Sequence, residues 1–183
     1  MKIYAETERL ILREMLPEDV DGMFELDSDP VVHKYLGNKP IKTKAESKKM
    51  ITYVRDQYVN QGVGRWSVIE KATGDFMGWS GLKFYFDYTL NNKTHFYDIG
   101  YRLIPRYWGK GYATESAFAA LDYGFNTLSL ETIVGLAVVD NMGSNIILKK
   151  IGLQYVEEFI HEEEKVNWYE LKKEDYGKDM SWM

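Results

Sequence analysis

Between residues 7 and 13 (TERLILR) apolar and polar side chains alternate. Leu10 and Leu12 fall on one side, Arg9, Ile11 and Arg13 on the other, which is the period of a first strand. The period then lengthens. Pro17-Glu18-Asp19 supplies a helix start, Val20, Met23, Phe24 and Asp27 follow at helical spacing, and Asp29-Pro30 ends the helix. A short segment runs through Tyr35-Leu36 to the turn Gly37-Asn38. Thr43 and Glu46 then have the spacing of a capping box, and Met50, Ile51, Val54 and Tyr58 form the apolar stripe of a second helix that stops near Gly62-Val63-Gly64.

Three strand-like runs come next. Residues 66–70 lead through Ala72-Thr73-Gly74-Asp75, a hairpin-type turn, into residues 76–86, where Gly78 and Gly81 point to a bulge or a close backbone approach. Leu90-Asn91-Asn92-Lys93 turns the chain back along residues 94–104. Ala113, Ala117, Phe118, Leu121 and Phe125 then recur as one face of a helix of about four turns. Residues 132–139 are a continuous apolar run of strand length, as a buried central strand requires. Ile146, Ile147 and Ile151 give the last helix its apolar face, with Gly152 as its C-terminal cap. Residues 154–160 and 166–172 close the chain as a hairpin around the acidic turn 161–164. The order predicts one α+β domain over residues 1–183, a mixed, mostly antiparallel twisted sheet of about seven strands flanked by about four helices. The strands at 94–104 and 132–139 flank a helix, so they are expected to lie parallel through a right-handed crossover.

Composition narrows the chemistry. Apolar residues at 45% and charged residues at 28% fit a soluble globular protein. The apolar run at 133–139 is too short to span a bilayer, and the charged N-terminus lacks the apolar stretch of a signal peptide. A cytoplasmic protein with no membrane partner is expected. The absence of cysteine removes disulfides, thiolate metal sites and a thiol nucleophile. His33, His95 and His161 are widely spaced, lack metal-ligand spacing and read as surface or hydrogen-bonded histidines, so no metal is expected. A net charge of −5 argues against a nucleic-acid partner and weakly favours a cationic one. The oligomeric state stays open, a homodimer included.

The stretch with candidate chemistry is IGYRLIPRYWGKGYATE, residues 99–115. A strand breaks at Pro105, passes a basic glycine turn and opens into a helix, whose N-terminal N–H groups and dipole suit an anion. It lacks the G-x-x-x-x-G-K-[ST] of a nucleoside-triphosphate loop, and the surrounding strands are not the repeated βαβ units of a dinucleotide fold. What remains is a cradle the size of a pyrophosphate.

Arg106-x-x-Gly109-x-Gly111, followed by Tyr112-Ala113-Thr114-Glu115, resembles the acetyl-coenzyme A loop of the GCN5-related N-acetyltransferases (GNAT). Residues 7–13, residues 98–103 (DIGYRL) and Asn141-x-x-Ser144 followed by Lys150-Ile151-Gly152-Leu153 resemble the RimJ/RimL-like branch of that family. The resemblance runs in register along nearly the whole chain. It implies that acetyl-CoA is the co-substrate, with Arg106, Gly109, Lys110, Gly111, Tyr112, Ala113 and Thr114 around its pyrophosphate. The strand holding Leu103 and Ile104 then splays from its parallel neighbour, so that exposed backbone there pairs with the pantetheine arm. Asn141 is either a second cofactor contact or a helix cap; Lys149 reaches the ribose phosphate or is an exposed helical lysine.

The implied reaction is direct attack of a primary amine on the thioester. The acceptor is a protein N-terminal α-amine or a small-molecule amine. The family's usual tyrosine acid is missing, because Leu148 stands four residues before Gly152. Ser144 either takes the role of protonating the thiolate or caps the helix. Asp98 and Glu163 are the two candidate bases. Trp79, Tyr97 and Tyr101 either line the acceptor pocket or belong to the core. The competing reading is a non-catalytic acyl-CoA-binding sensor or interaction module with the same fold.

Overall fold

A computed structural model describes residues 1–178. Eight strands form one sheet: β1 (Ile3–Glu6), β2 (Leu10–Arg13), β3 (Arg65–Glu70), β4 (Phe76–Tyr85), β5 (Phe96–Leu103), β6 (Thr132–Val138), β7 (Gln154–His161) and β8 (Glu164–Lys172). Four α-helices interrupt them: α1 (Val20–Ser28) and α2 (Lys44–Gln61) before β3, α3 (Tyr112–Asp122) between β5 and β6, and α4 (Met142–Lys150) between β6 and β7. The strand order is β1-β2-β3-β4-β5-β6-β8-β7, and every pair is antiparallel except β5 with β6. The α+β architecture and the parallel pair match the sequence-based expectation.

The extra strand is β1. Its four residues carry no apolar alternation, and it forms by pairing with β2 through a turn at residues 7–9, where Thr7 N–H donates to the Leu10 carbonyl at 3.0 Å. Leu10 and Leu12 are fully buried, so the alternation of β2 is real. Before α1, Pro17–Asp19 is a separate 3-10 turn. The expected capping box is present at the start of α2, where the Glu46 carboxylate accepts the Thr43 N–H at 2.9 Å. The α2 stripe shifts, however: Ile51 and Val54 are buried, Met50 is exposed, and Ser47 and Gln57 turn inward. Helix α3 ends three residues short of Phe125, and a single π-turn (Tyr123–Thr127) carries that ring into the core.

One main core fills the space between sheet and helices, built on Leu10, Leu12, Met23, Trp66, Leu82, Leu121, Phe125 and Ile133. A smaller cluster of Leu90, Val134 and Trp168 fixes the long β4–β5 connection onto the other half of the sheet. No helix among the described residues is long and apolar enough to cross a membrane.

Candidate active site

Strands β5 and β6 pair only at Asp98 with Val134 and Ile99 with Gly135. Beyond that point β5 keeps β4, with Leu103 opposite Gly78, and β6 keeps β8, with Val138 opposite Val166. The two strands part, and residues 100–103 face residues 136–138 across a gap. Backbone groups left unpaired inside a sheet need a partner. The Arg102 carbonyl turns to β4, 2.1 Å from where a Cβ on Gly78 would sit, so Tyr101 and Leu103 on either side turn theirs toward the gap.

The edge differs from the expected one at its end. Ile104 is fully used, donating its N–H to the Met77 carbonyl at 2.9 Å and accepting from Tyr107 N–H at 2.9 Å. The Leu103 carbonyl accepts the Trp108 indole N–H at 2.7 Å. The gap is therefore edged by Tyr101 and the Leu103 N–H, and Ile104 is removed from it.

After the 3-10 turn Pro105–Tyr107, Gly109 and Gly111 adopt φ of 72° and 82°, which only glycine takes without strain. Gly111 is the N-cap of α3 and has no side chain to cap it, so the N–H groups of Tyr112, Ala113 and Thr114 lack intrahelical acceptors. Nothing lies within 4 Å of the Cβ position at Gly109. An open concave backbone at a helix N-terminus fits a pyrophosphate. The flanking side chains mostly look elsewhere. Arg106 pairs with Glu25 on α1, and the Tyr112 hydroxyl donates to Glu70 at 2.7 Å. Lys110 lies 6.0 Å from the Tyr107 ring, and its carbonyl accepts from Arg9.

At the far side of the gap, Asn141 caps α4, its Oδ1 accepting the Ser144 N–H at 3.2 Å. The cap thus comes from Asn141, while the Ser144 side chain is hydrogen-bonded with Tyr101. The Ser144 carbonyl accepts the Tyr101 hydroxyl at 3.1 Å, which carries the Tyr101 ring from β5 to α4. Burial pushes that phenol well above its ordinary range, so it stays protonated. Asn145 anchors the same turn, donating to the Val138 and Asn141 carbonyls at 2.9 and 2.8 Å and accepting from Tyr169 and Asn167 at 2.6 and 2.8 Å. Lys149 is exposed at the other end of α4.

The opposite face of β5 is charged. Asp98 is buried, and Arg65 reaches across β4 to pair with its carboxylate while donating to its carbonyl at 2.7 Å. Gly100 makes room for this, since a Cβ there would lie 2.7 Å from the guanidinium. Burial raises the Asp98 carboxyl and Arg65 pulls it back, with burial the stronger. Arg102 donates to Asp27 at 2.6 Å, and both guanidiniums lie over Trp79, at 5.4 and 4.9 Å from its ring centre. Trp79 shares this face with Arg102, its partner across β4 and β5, whereas Tyr97 and Tyr101 point to the other face, Tyr97 stacking on Phe84 at 4.6 Å. The expected trio of wall residues is thus divided. Glu163 lies on the exposed β7–β8 turn, whereas Asp98 is buried in β5. His33 is buried, contrary to the surface or hydrogen-bonded reading. Both its ring nitrogens lack a hydrogen bond among the described residues, and burial lowers its pKa.

Beside this face a cavity of about 540 Å³ opens between α2 and the β4–β5 connection. Asp56, Asp87, Gln57, Gln61, Tyr53 and Tyr85 contribute to its lining. The buried Oε1 atoms of Gln57 and Gln61 have no hydrogen-bond donor. Lys83 shows what fits there: its ammonium lies 4.4 Å from the Tyr85 ring and 5.6 Å from the Tyr53 ring.

Sequence reasoning missed Arg9, Arg65, Arg102 and Asp27, which act across the fold, and Trp108, which acts on Leu103 five residues earlier. Arg9 and Arg102 lie inside quoted motifs, but only strand alternation was legible for them. No group of three or more His, Cys, Asp or Glu among the described residues could hold a metal ion.

A family model described as an acetyltransferase (GNAT) domain matches residues 9–154. An N-acetyltransferase of Bacillus licheniformis, p20, is 32% identical over 148 residues, 81% of this chain and 80% of that protein. The FsC-acetyl coenzyme A-N(2)-transacetylase of Aspergillus fumigatus is 31% identical over 85% of this chain and 66% of its own. A crystal structure of a GNAT-family acetyltransferase from Bacillus anthracis superposes with a TM-score of 0.78 at 28% identity, covering 95% of this chain and 99% of that one. The parted parallel strands, the glycine turn at a helix N-terminus and these likenesses agree: the chain belongs to the GNAT acetyltransferase family and is an acetyl-CoA-dependent acyltransferase.

Proposed function

We propose that the protein moves an acetyl group from acetyl-CoA directly to the primary amine of a small molecule that carries a second cationic group. The observation that carries the transfer is the gap between β5 and β6 leading into the glycine turn. Bound there, acetyl-CoA supplies the activated acyl carbon. The N–H groups of Tyr112, Ala113 and Thr114 bind the pyrophosphate, and those of Tyr101 and Leu103 orient the pantetheine arm. Asn141 shapes the α4 end of the gap through its cap.

What supports a cationic acceptor is the cavity at Lys83, the residue opposite Asp98 across β4 and β5, with two carboxylates, two undonated amide oxygens and aromatic walls that already hold one ammonium. Asp98, where the strands part, takes the proton from the attacking amine; Glu163, on an exposed turn, lacks that position. Ser144 gives a proton to the leaving thiolate, its hydroxyl being free of capping. The motifs at residues 7–13, 98–103 and 141–144 support a RimJ/RimL-like branch, and dependence on acetyl-CoA supports a cytoplasmic site of action.

The test is thiol release from acetyl-CoA across monoamines, diamines, polyamines, amino sugars and N-terminal peptides. We expect kcat/KM for a diamine to exceed that for a monoamine of equal length by at least about tenfold, the scale of one charge-assisted contact. Preference for monoamines or neutral N-terminal peptides would overturn the acceptor class, and binding of CoA without turnover on any amine would overturn the enzyme. In the same assay Ser144→Ala should lower kcat about 10²-fold with CoA affinity unchanged; a normal rate would remove Ser144 from the chemistry.

A further inference from the structure

The glycine turn is gripped from outside by a residue that precedes it by about a hundred positions in the chain. Arg9, in the turn between β1 and β2, donates through NH1 to the Lys110 carbonyl at 3.0 Å. Its Nε and NH2 donate to Glu115 Oε2 at 2.7 and 2.6 Å. The other carboxylate oxygen, Oε1, accepts the Thr7 hydroxyl at 2.5 Å and the Arg9 backbone N–H at 3.1 Å. The guanidinium carbon also lies 4.2 Å from the centre of the Tyr112 ring, and NH2 lies 3.4 Å from where a Cβ on Gly111 would be. One fork thus touches residues 110, 112 and 115, on both sides of the N-cap glycine. The Arg9 carbonyl in turn accepts the Lys71 N–H at 2.9 Å, tying the grip to the sheet.

Two physical consequences follow. A turn containing two glycines is costly to order, and a turn ordered before the ligand arrives does not charge that entropy to binding. Glu115 also lies in the first turn of α3, where its charge suits the helix dipole but opposes an anion bound at the same end. Burial would raise its carboxyl, yet the bonds from Thr7 and Arg9 hold it below the ordinary carboxylate range, so it is charged at neutral pH. Arg9 places a countercharge within hydrogen-bond distance of it.

We propose that Arg9, through its fork on Lys110 and Glu115, is the positioning residue of the coenzyme loop and sets the affinity for the pyrophosphate of the coenzyme. This rests on the reading that the glycine turn holds that pyrophosphate. The nature of the contact predicts which changes matter. Lysine keeps the charge but loses the planar fork, so Arg9→Lys should fail to restore function.

The test compares two donors. Calorimetry with coenzyme A should show Arg9→Gln binding about tenfold or more weakly, and Arg9→Lys nearly as weakly, because a charge-assisted bidentate grip is lost. Steady-state rates should show KM for acetyl-CoA raised with kcat largely kept. Turnover of S-acetyl-pantetheine, which has no pyrophosphate, should be unchanged. Loss on both donors alike, or coenzyme A affinity equal to wild type in Arg9→Gln, would overturn the proposal. If Arg9→Gln does not fold, Arg9→Lys, which keeps the charge beside Glu115, carries the comparison and should show the same split between donors. Gly111→Val separates the proposal from its premise: its φ of 82° excludes a branched residue, so coenzyme A affinity should collapse. Unchanged affinity there would remove the pyrophosphate reading and the proposal with it, whereas a collapse there beside an indifferent Arg9→Gln would overturn the grip alone.

Discussion

Asp19 receives two hydrogen bonds from the Arg13 guanidinium at 2.8 and 2.7 Å, one from the Ser67 hydroxyl at 2.7 Å and one from the Leu16 N–H at 2.8 Å. It was legible in the sequence only as part of a helix start; the structure makes it a buried bolt joining β2, β3 and the entry to α1. Breaking a buried, fully bonded pair from one side costs about 3–5 kcal/mol, and Asp19→Ala should lose that much in urea unfolding at neutral pH. Burial acts to raise the Asp19 carboxyl, but these four bonds bring it below 3.8. A carboxyl depressed in the folded state stabilises above its unfolded pKa and loses that contribution as pH falls through the lower folded value. The gap between wild type and variant should therefore close progressively below pH 3.8, and a gap independent of acid would show that packing, not the charge, was lost. Ser144 and Asn141 teach a related lesson. Both had been open between capping and chemistry, and a single bond from Ser144 N–H to Asn141 Oδ1 assigns the cap to Asn141.

At the scale of elements, the gap depends on β4 holding β5 while β6 leaves. Gly78 is the hinge of that arrangement: a bulge opposite Val68 and Ile69 sets it at φ 140°, with the Arg102 carbonyl where a Cβ would go. Gly78→Ala must push β5 into the gap. It should destabilise by more than the ~1 kcal/mol that a compatible glycine-to-alanine change gains, and should also weaken coenzyme A binding; full affinity in a stably folded variant would detach the bulge from the site. The two glycines in this strand were recognised as a bulge or close approach, because glycine inside a strand pattern has few other uses. Strand β1 was missed because four residues at an edge have no second face to bury and thus no alternation. The inward turn of Gln57 was missed because a polar residue in an apolar stripe is explained only by the cavity it faces.

For the whole molecule, the consequence is that ligand and fold are linked. If coenzyme A binds the folded chain alone, adding it at 100 times its Kd should stabilise by about 2.7 kcal/mol, raising Tm by roughly 5–10 °C for a protein of this size. A ligand-free structural role predicts no shift. The long-range ties make this linkage broad: Arg9 to Glu115, Arg102 to Asp27 and Arg65 to Asp98 join the start of the chain, α1 and β3 to the strand and helix that build the site.

By itself the sequence determined the α+β order, the parallel pair, the glycine turn and the family, because each is written in local periods, in glycine and proline positions, and in motifs a few residues long. Only the tertiary structure decided which backbone groups stay open, which side chains share a face, and which charges are neutralised. Those depend on register and on contacts across 70 to 110 residues, as between Arg102 and Asp27 at a separation of 75 and Arg9 and Glu115 at 106. Local periodicity sets which side of a strand a residue occupies, but not what the fold brings to meet it.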